Sequence, residues 1–255
     1  MLGFNFPEVT DFDLSPVERG ALGSLKTKPE WFPQGEQETR VLIRRFVPGI
    51  RRAVERERPP SVTAIARKTR SPFKVLVSTV ISARTKDEVT SAASERLFAK
   101  AATPEKIASL TEKQIAELIF PAGFYKTKAK AIRALSKRIV SDFKSRVPSE
   151  MDDLLGLPGV GRKTANLVLT NGFGKPGICV DTHVHRISNR LGIVKTKSPE
   201  ETEFALRKVL PRRHWTQINE LLVTYGRIVC TPVSPYCSHC AVRDDCQRVG
   251  VGRAR

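Results

Sequence analysis

The chain has 255 residues, 40% of them apolar, enough for one large core or two modest ones. Lysine and arginine number 44 against 26 acidic residues, a formal charge of +18 that favours a polyanionic partner. No apolar run approaches about 20 residues, so no bilayer span is expected, and the start M-L-G-F-N-F-P lacks the basic-then-apolar order of a secretory signal.

Residues 1–35 mix Pro, Gly and isolated aromatics without sustained periodicity and read as an extension. From Glu36 to Glu57, Val41, Leu42, Ile43, Phe46, Val47, Ile50 and Val54 recur at helical spacing, with Pro48-Gly49 expected to break or kink the helix. Pro59-Pro60 marks a boundary. A succession of amphipathic helices follows, with capping-box patterns at Thr111-Glu112-Lys113-Gln114 and Ser149-Glu150-Met151-Asp152. Ala129, Ile132, Leu135, Ile139 and Phe143 form the buried stripe of a long helix. Ser198-Pro199-Glu200-Glu201 supplies an N-cap, an N1 proline and a capping glutamate, and Trp215 to Val229 forms the last helix. No alternating pattern predicts a strand, so the fold class is all-α.

The most informative stretch is L-P-G-V-G-R-K-T-A, Leu157 to Ala165, followed by V-D-T-H, Val180 to His183. Pro and Gly interrupt helical periodicity on both sides, which predicts a hairpin between two helices. Gly159 and Gly161 permit positive φ and close backbone approach, while the helix starting near Arg162 directs its unpaired N–H groups outward, suited to DNA phosphate. Lys163 places an amine and Asp181 a carboxylate beside that turn. A lone hairpin of this kind also serves DNA-binding proteins with no chemistry.

Five cysteines are present, four of them in the pattern C-x6-C-x2-C-x5-C at Cys230, Cys237, Cys240 and Cys246. Four thiolates so close in sequence suit one metal centre better than two disulfides, and the spacing alone leaves zinc and an iron–sulfur cluster open. Such use of cysteine points to a reducing, intracellular compartment. Cys179 reads as a buried small hydrophobe.

The hairpin, the V-D-T-H element and the cysteine spacing together resemble the endonuclease III family of DNA glycosylases, over roughly residues 34–249. The resemblance implies two helical domains with a DNA-binding cleft between them. Residues 61–177 would form a six-helix barrel carrying the helix-hairpin-helix, and residues 36–60 with 178–255 a discontinuous iron–sulfur domain, its cysteines holding a [4Fe-4S] cluster. It implies a monomer bound to double-stranded DNA that contains damaged bases or abasic sites, DNA-associated and without a membrane. The expected activity is that of a bifunctional glycosylase and AP lyase of base excision repair, which removes oxidised pyrimidines through a lysine Schiff base and cuts the strand by β-elimination. A mismatch thymine or uracil glycosylase on the same scaffold is the alternative, and a non-catalytic DNA-binding module the rival from another class.

Within that frame Lys163 is the nucleophile and Asp181 the anion that stabilises positive charge on the sugar. Attack needs the unprotonated amine, which burial, the helix start and Arg162 would all favour. Arg84 stands where many members have glutamine, and Phe124 at a second filling position, ready to occupy the gap left by an extruded base. Ser82, Asp87 and His183 fall at the base pocket. Gly159, Gly161, Arg162, Lys126, Lys128 and Lys130 are candidate phosphate contacts, and Arg227, Arg243 and Arg248 flank the cysteines. Thr79 stands where an adenine-specific relative has its catalytic glutamate, which argues against that substrate.

Overall fold

The computed structural model describes the chain from Glu36 to Arg255, with side chains from Leu42 onward. The extension expected over residues 1–35 lies outside the described residues. Twelve α-helices, numbered here from the first described residue, account for the regular structure, and no strand occurs among the described residues. They are α1 Glu36–Val54, α2 Ser61–Thr69, α3 Pro72–Ser82, α4 Asp87–Lys100, α5 Pro104–Ser109, α6 Glu112–Ile119, α7 Tyr125–Asp142, α8 Met151–Leu155, α9 Arg162–Leu167, α10 Thr182–Leu191, α11 Pro199–Val209 and α12 Trp215–Ile228. A single π-helical turn, Val168–Gly172, continues α9.

Two hydrophobic cores organise these helices. The first runs from Val62 to Cys179 in sequence and centres on α3, in which every residue from Val75 to Ile81 is buried. Apolar on all sides, α3 packs against α2, α4, α7, α9 and the π turn. Ser71 caps it, its Oγ accepting from Lys74 N at 3.3 Å, and Pro72 occupies N1, where the missing N–H costs nothing. The stripe Ala129, Ile132, Leu135 and Ile139 on α7 is fully buried in the same core, each Ile or Leu contributing about 1.5–3 kcal/mol. Phe143 only caps α7 and is partly buried.

The second core joins Ile43, Phe46, Val47, Ile50 and Val54 of α1 to Val184, Ile187 and Leu191 of α10, Leu206 of α11 and Trp215, Ile218, Leu222 and Tyr225 of α12. Pro48 does not end α1 as its sequence suggested. Val47 and Ile50 on either side are buried, and Gly49 leaves only 3.0 Å between an added Cβ and Val242 Cγ1, so packing holds the helix through the proline.

The local start signals divide instructively. Thr111 and Gln114 form a complete capping box. Ser198 caps α11 as expected, but the Glu201 carboxylate accepts from Lys197 N rather than from the cap itself. The box expected at Ser149 is absent: Glu150 precedes α8 with no side-chain cap. Lys175 has taken both candidates, donating to Ser149 O at 2.7 Å, Ser149 Oγ at 3.1 Å and Glu150 Oε1 at 2.6 Å.

Candidate active site

The turn between α8 and α9 holds Gly159 at φ +76°, where an added Cβ would stand 2.9 Å from Ala131 Cβ on α7, so glycine is required there twice over. Gly161, also expected to use positive φ, is instead extended at φ −105° and caps α9 with open space around it. Lys163 follows in the first turn. Its side chain, 46% exposed, reaches a cleft instead of the interior, and Nζ lies 3.8 Å from Asp181 Oδ2.

Asp181 is positioned by its own helix. As N-cap of α10 its Oδ1 accepts from His183 N at 2.9 Å and Val184 N at 3.0 Å, which leaves Oδ2 turned to the amine. Asn219 of α12 steadies the preceding backbone by donating to Cys179 O at 3.1 Å. Cys179 is buried and its thiol is pushed up to about 12 by that burial, so it is an inert packing residue.

Arg162 does not support Lys163 in the way its adjacency suggested. Its guanidinium forms a two-point pair with Glu203 of α11, Nη2 to Oε1 at 2.8 Å and Nε to Oε2 at 3.1 Å, and lies over the Phe204 ring. Burial of Lys163 and a free neighbouring charge, both expected from the sequence, are therefore absent.

The cleft encloses about 390 Å³, within the range of sites that hold small molecules. Lys163, Asp181, His183, Ser82 and Asp87 all line it, with Thr85, Asn219 and Arg227. Ser82 itself donates to Thr79 O at 2.8 Å. Asp87 accepts from Ser61 Oγ at 2.9 Å and pairs with Arg227 Nη1 at 2.5 Å, tying α4 to α2 and α12. Arg227, expected beside the cysteines, thus belongs to the cleft wall.

His183 Nδ1 lies 3.2 Å from Arg186 Nη2. A guanidinium can only donate, so Nδ1 must accept and the ring is neutral with its proton on Nε2. Burial chiefly, then Arg186, Arg227 and Lys163, hold the imidazole below its ordinary value against the opposing pull of Asp181. Room for this pair comes from Gly226 of α12, where an added Cβ would meet His183 Nδ1 at 2.5 Å and Arg186 Nη2 at 2.9 Å. Neither Gly226 nor Asn219 stood out in the sequence, because a glycine or asparagine on a helix carries no local sign of what it faces.

Beside the cleft, Arg84 and Phe124 are both exposed at positive φ, +52° and +56°, with the Arg84 Cζ 5.7 Å from the Phe124 ring centroid. Lys126 and Lys130 are also exposed. Lys128 is not: it is 7% exposed, and its Nζ donates to Ile81 O at 2.6 Å, Ala83 O at 2.6 Å and Thr85 Oγ1 at 2.8 Å. The expectation that it meets phosphate is overturned, since all three ammonium donors are already used inside the protein.

Residues 77–212, which include Lys163 and Asp181, match the HhH-GPD superfamily of base excision DNA repair proteins. The chain belongs to this superfamily. Among HhH-GPD relatives, it is 49% identical over 191 residues to endonuclease III of Thermotoga maritima, covering 74% of this chain and 90% of that protein. A solved non-covalent endonuclease III–DNA complex aligns with a TM-score of 0.74 and 31% identity over 85% of this chain and 97% of that one. A thermostable thymine-DNA glycosylase aligns with a TM-score of 0.72 and 25% identity over 83% and 97%.

The four C-terminal cysteines of this HhH-GPD protein lie beyond the matched residues. Cys230, Cys237, Cys240 and Cys246 are free thiols that line one cavity, closed by Arg190, Tyr225 and Val242. Among the described residues no three His, Cys, Asp or Glu side chains are drawn close enough to hold an ion as they stand. Their surroundings are nonetheless polarised towards sulfur. Tyr225 OH lies 3.1 Å from Cys240 Sγ, and Arg190 donates to Cys230 Sγ at 3.4 Å, Thr231 O at 2.7 Å and Pro232 O at 2.7 Å. Arg186 adds a bond to Cys230 O at 2.9 Å. Arg248 also lines the cavity, whereas Arg243 is exposed. No described helix is long and apolar enough to cross a membrane.

Proposed function

We propose that this chain is a bifunctional DNA glycosylase and AP lyase that acts as a monomer on oxidised pyrimidines in duplex DNA. The observation that carries the reading is an amine and a carboxylate 3.8 Å apart at the opening of a cleft large enough for a nucleoside. A base inside the helix is out of reach, so the nucleotide swings into the cleft. Lys163 Nζ, its proton given up to solvent, attacks C1′, and the base departs with the bonding electrons and takes a proton from water. The carboxylate meanwhile faces the positive charge that grows on the sugar. The adduct opens the sugar ring, C1′–O4′ breaking as O4′ takes a proton, to give a Schiff base that acidifies the 2′ hydrogen; loss of that proton expels the 3′ phosphate. Phosphate contacts fall to the backbone at Gly159 and Gly161 and to exposed Lys126.

The four cysteines fit a [4Fe-4S] cluster by ligand type, number and shared cavity, with thiolates held by Arg190 and Tyr225. Bound by Cys230, Cys237, Cys240 and Cys246, it would cross-link the C-terminal loops on the second core. That core and the first support a division into residues 36–60 with 178–255 and residues 61–177.

Borohydride trapping tests the reaction. Wild-type protein and an abasic duplex should give a covalent adduct that Lys163→Ala does not form; an undiminished adduct in that variant rejects the nucleophile. Duplexes with thymine glycol, dihydrouracil, uracil or mismatched thymine sort the substrates, release of mismatched thymine alone favouring the alternative activity. Purified protein should absorb near ~400 nm with about four irons per chain, and stoichiometric zinc rejects the cluster.

A further inference from the structure

Lys128 has no role in the chemistry just described, yet all three donors of its ammonium are committed inside the protein beside the cleft. Two of its acceptors, the carbonyls of Ile81 and Ala83, lie at the C-terminal end of α3, where helix carbonyls lack a partner in the next turn. The third, Thr85 Oγ1, in turn accepts from Gly123 N at 3.1 Å. Gly123 completes the joint, because an added Cβ would stand 2.5 Å from Arg84 O. One amine therefore fastens residues 81–85 to α7 at three points, and Thr85 carries the link on to Gly123 in the turn before that helix.

Each fastened segment carries one left-handed, non-glycine residue, Arg84 or Phe124, a conformation that costs about 1–2 kcal/mol apiece. Their side chains stack on each other in solvent, and Phe124 is 63% exposed. Ser82 and Thr85, on either side of Arg84, line the cleft that holds Lys163 and Asp181. An exposed aromatic on strained backbone, paired with a planar cation and placed beside a nucleotide-sized cleft, suits the gap that opens in a base stack when one nucleotide leaves it.

We propose that Lys128 is a positioning residue that sets Arg84 and Phe124 as one rigid wedge at the cleft mouth. It acts on duplex substrates alone, since only a stacked, paired helix has a gap to fill. The inference rests on the glycosylase reading above.

Lys128→Met keeps the length and apolar stem while removing all three donors. Single-turnover base release from a thymine glycol duplex should fall by about tenfold or more, as misplaced site groups do. Schiff-base trapping on a single-stranded abasic oligonucleotide should stay within about twofold of wild type. In an Arg84→Ala/Phe124→Ala background the same change should cost less than about twofold on the duplex, because coupled residues are not additive. Thr85→Val, which removes one of the three Lys128 acceptors together with the bridge to Gly123 and leaves the two carbonyl bonds in place, should give the same pattern at about threefold. Equal losses on both substrates, full additivity, or an undiminished duplex rate would each overturn the proposal. A wild-type protein inactive on every substrate would instead reject the glycosylase reading.

Discussion

Asp181 serves Lys163 with one oxygen and its own helix with the other: Oδ1 receives the N–H groups of His183 and Val184, and Oδ2 lies 3.8 Å from the amine. The two tasks can be separated by substitution. Asparagine keeps an oxygen for the cap, so Asp181→Asn should change stability by less than about 0.5 kcal/mol. It loses the charge, so single-turnover base release should fall on the order of 10²–10³-fold. Asp181→Ala should lose about 1 kcal/mol as well, read from urea unfolding. An asparagine variant with the wild-type rate means the carboxylate is only a cap.

Gly226→Ala sets helix propensity against space. Alanine favours the helix by about 1 kcal/mol, but its Cβ would fall 2.5 Å from His183 Nδ1 and 2.9 Å from Arg186 Nη2, which is itself fastened to Cys230 O. Crowding should win, with a net loss of about 1–2 kcal/mol, and base release should drop because His183 is driven toward Asp181. A more stable, fully active variant sinks this account.

His183 gives stability a pH dependence of definite sign. Its native value lies below the ordinary one, so the unfolded chain binds the proton first as pH falls from about 6.5. The contribution is complete above that point and is lost as pH falls toward the lowered native value. Urea midpoints of wild type should therefore decline more than those of His183→Gln between about pH 7 and pH 5. Parallel declines in the two proteins would show that the ring titrates alike in both states.

Arg190 is 8% exposed and satisfies two carbonyls and one thiol at once. Arg190→Met leaves the half-buried Thr231 carbonyl and the exposed Pro232 carbonyl without their donor, a loss of about 1 kcal/mol. The variant should purify with less than about half the wild-type iron while its far-ultraviolet helix signal persists, since the arginine that orients the Cys230 thiol and its loop sustains metal affinity. Full iron content in the variant would mean that the arginine only packs.

Features determined by neighbours in sequence were legible from the residues alone. The Thr111–Gln114 box, the Ser198 cap with Pro199 and the α7 stripe are set within one or two helical turns. The motifs single out Lys163 and Asp181, and the fold brings their side chains within 3.8 Å. What failed depended on distant partners. Ser149 lost its capping role to Lys175, Pro48 was carried through by packing under Val242, and Arg162 turned to Glu203. Lys128 sits in a run of alternate lysines in which its outward neighbours look identical to it, and only the third dimension tells them apart.

The second core also fixes an order of events. It joins α1, the earliest of the described helices, to residues 178–242, so closing it spans more than half of the chain. The first core is complete by Cys179 and can collapse while the ribosome still holds the remainder. Asp181 caps a helix of the later core, so the lysine side of the cleft can fold with the first core, and the carboxylate is held opposite it once the second core closes over α10.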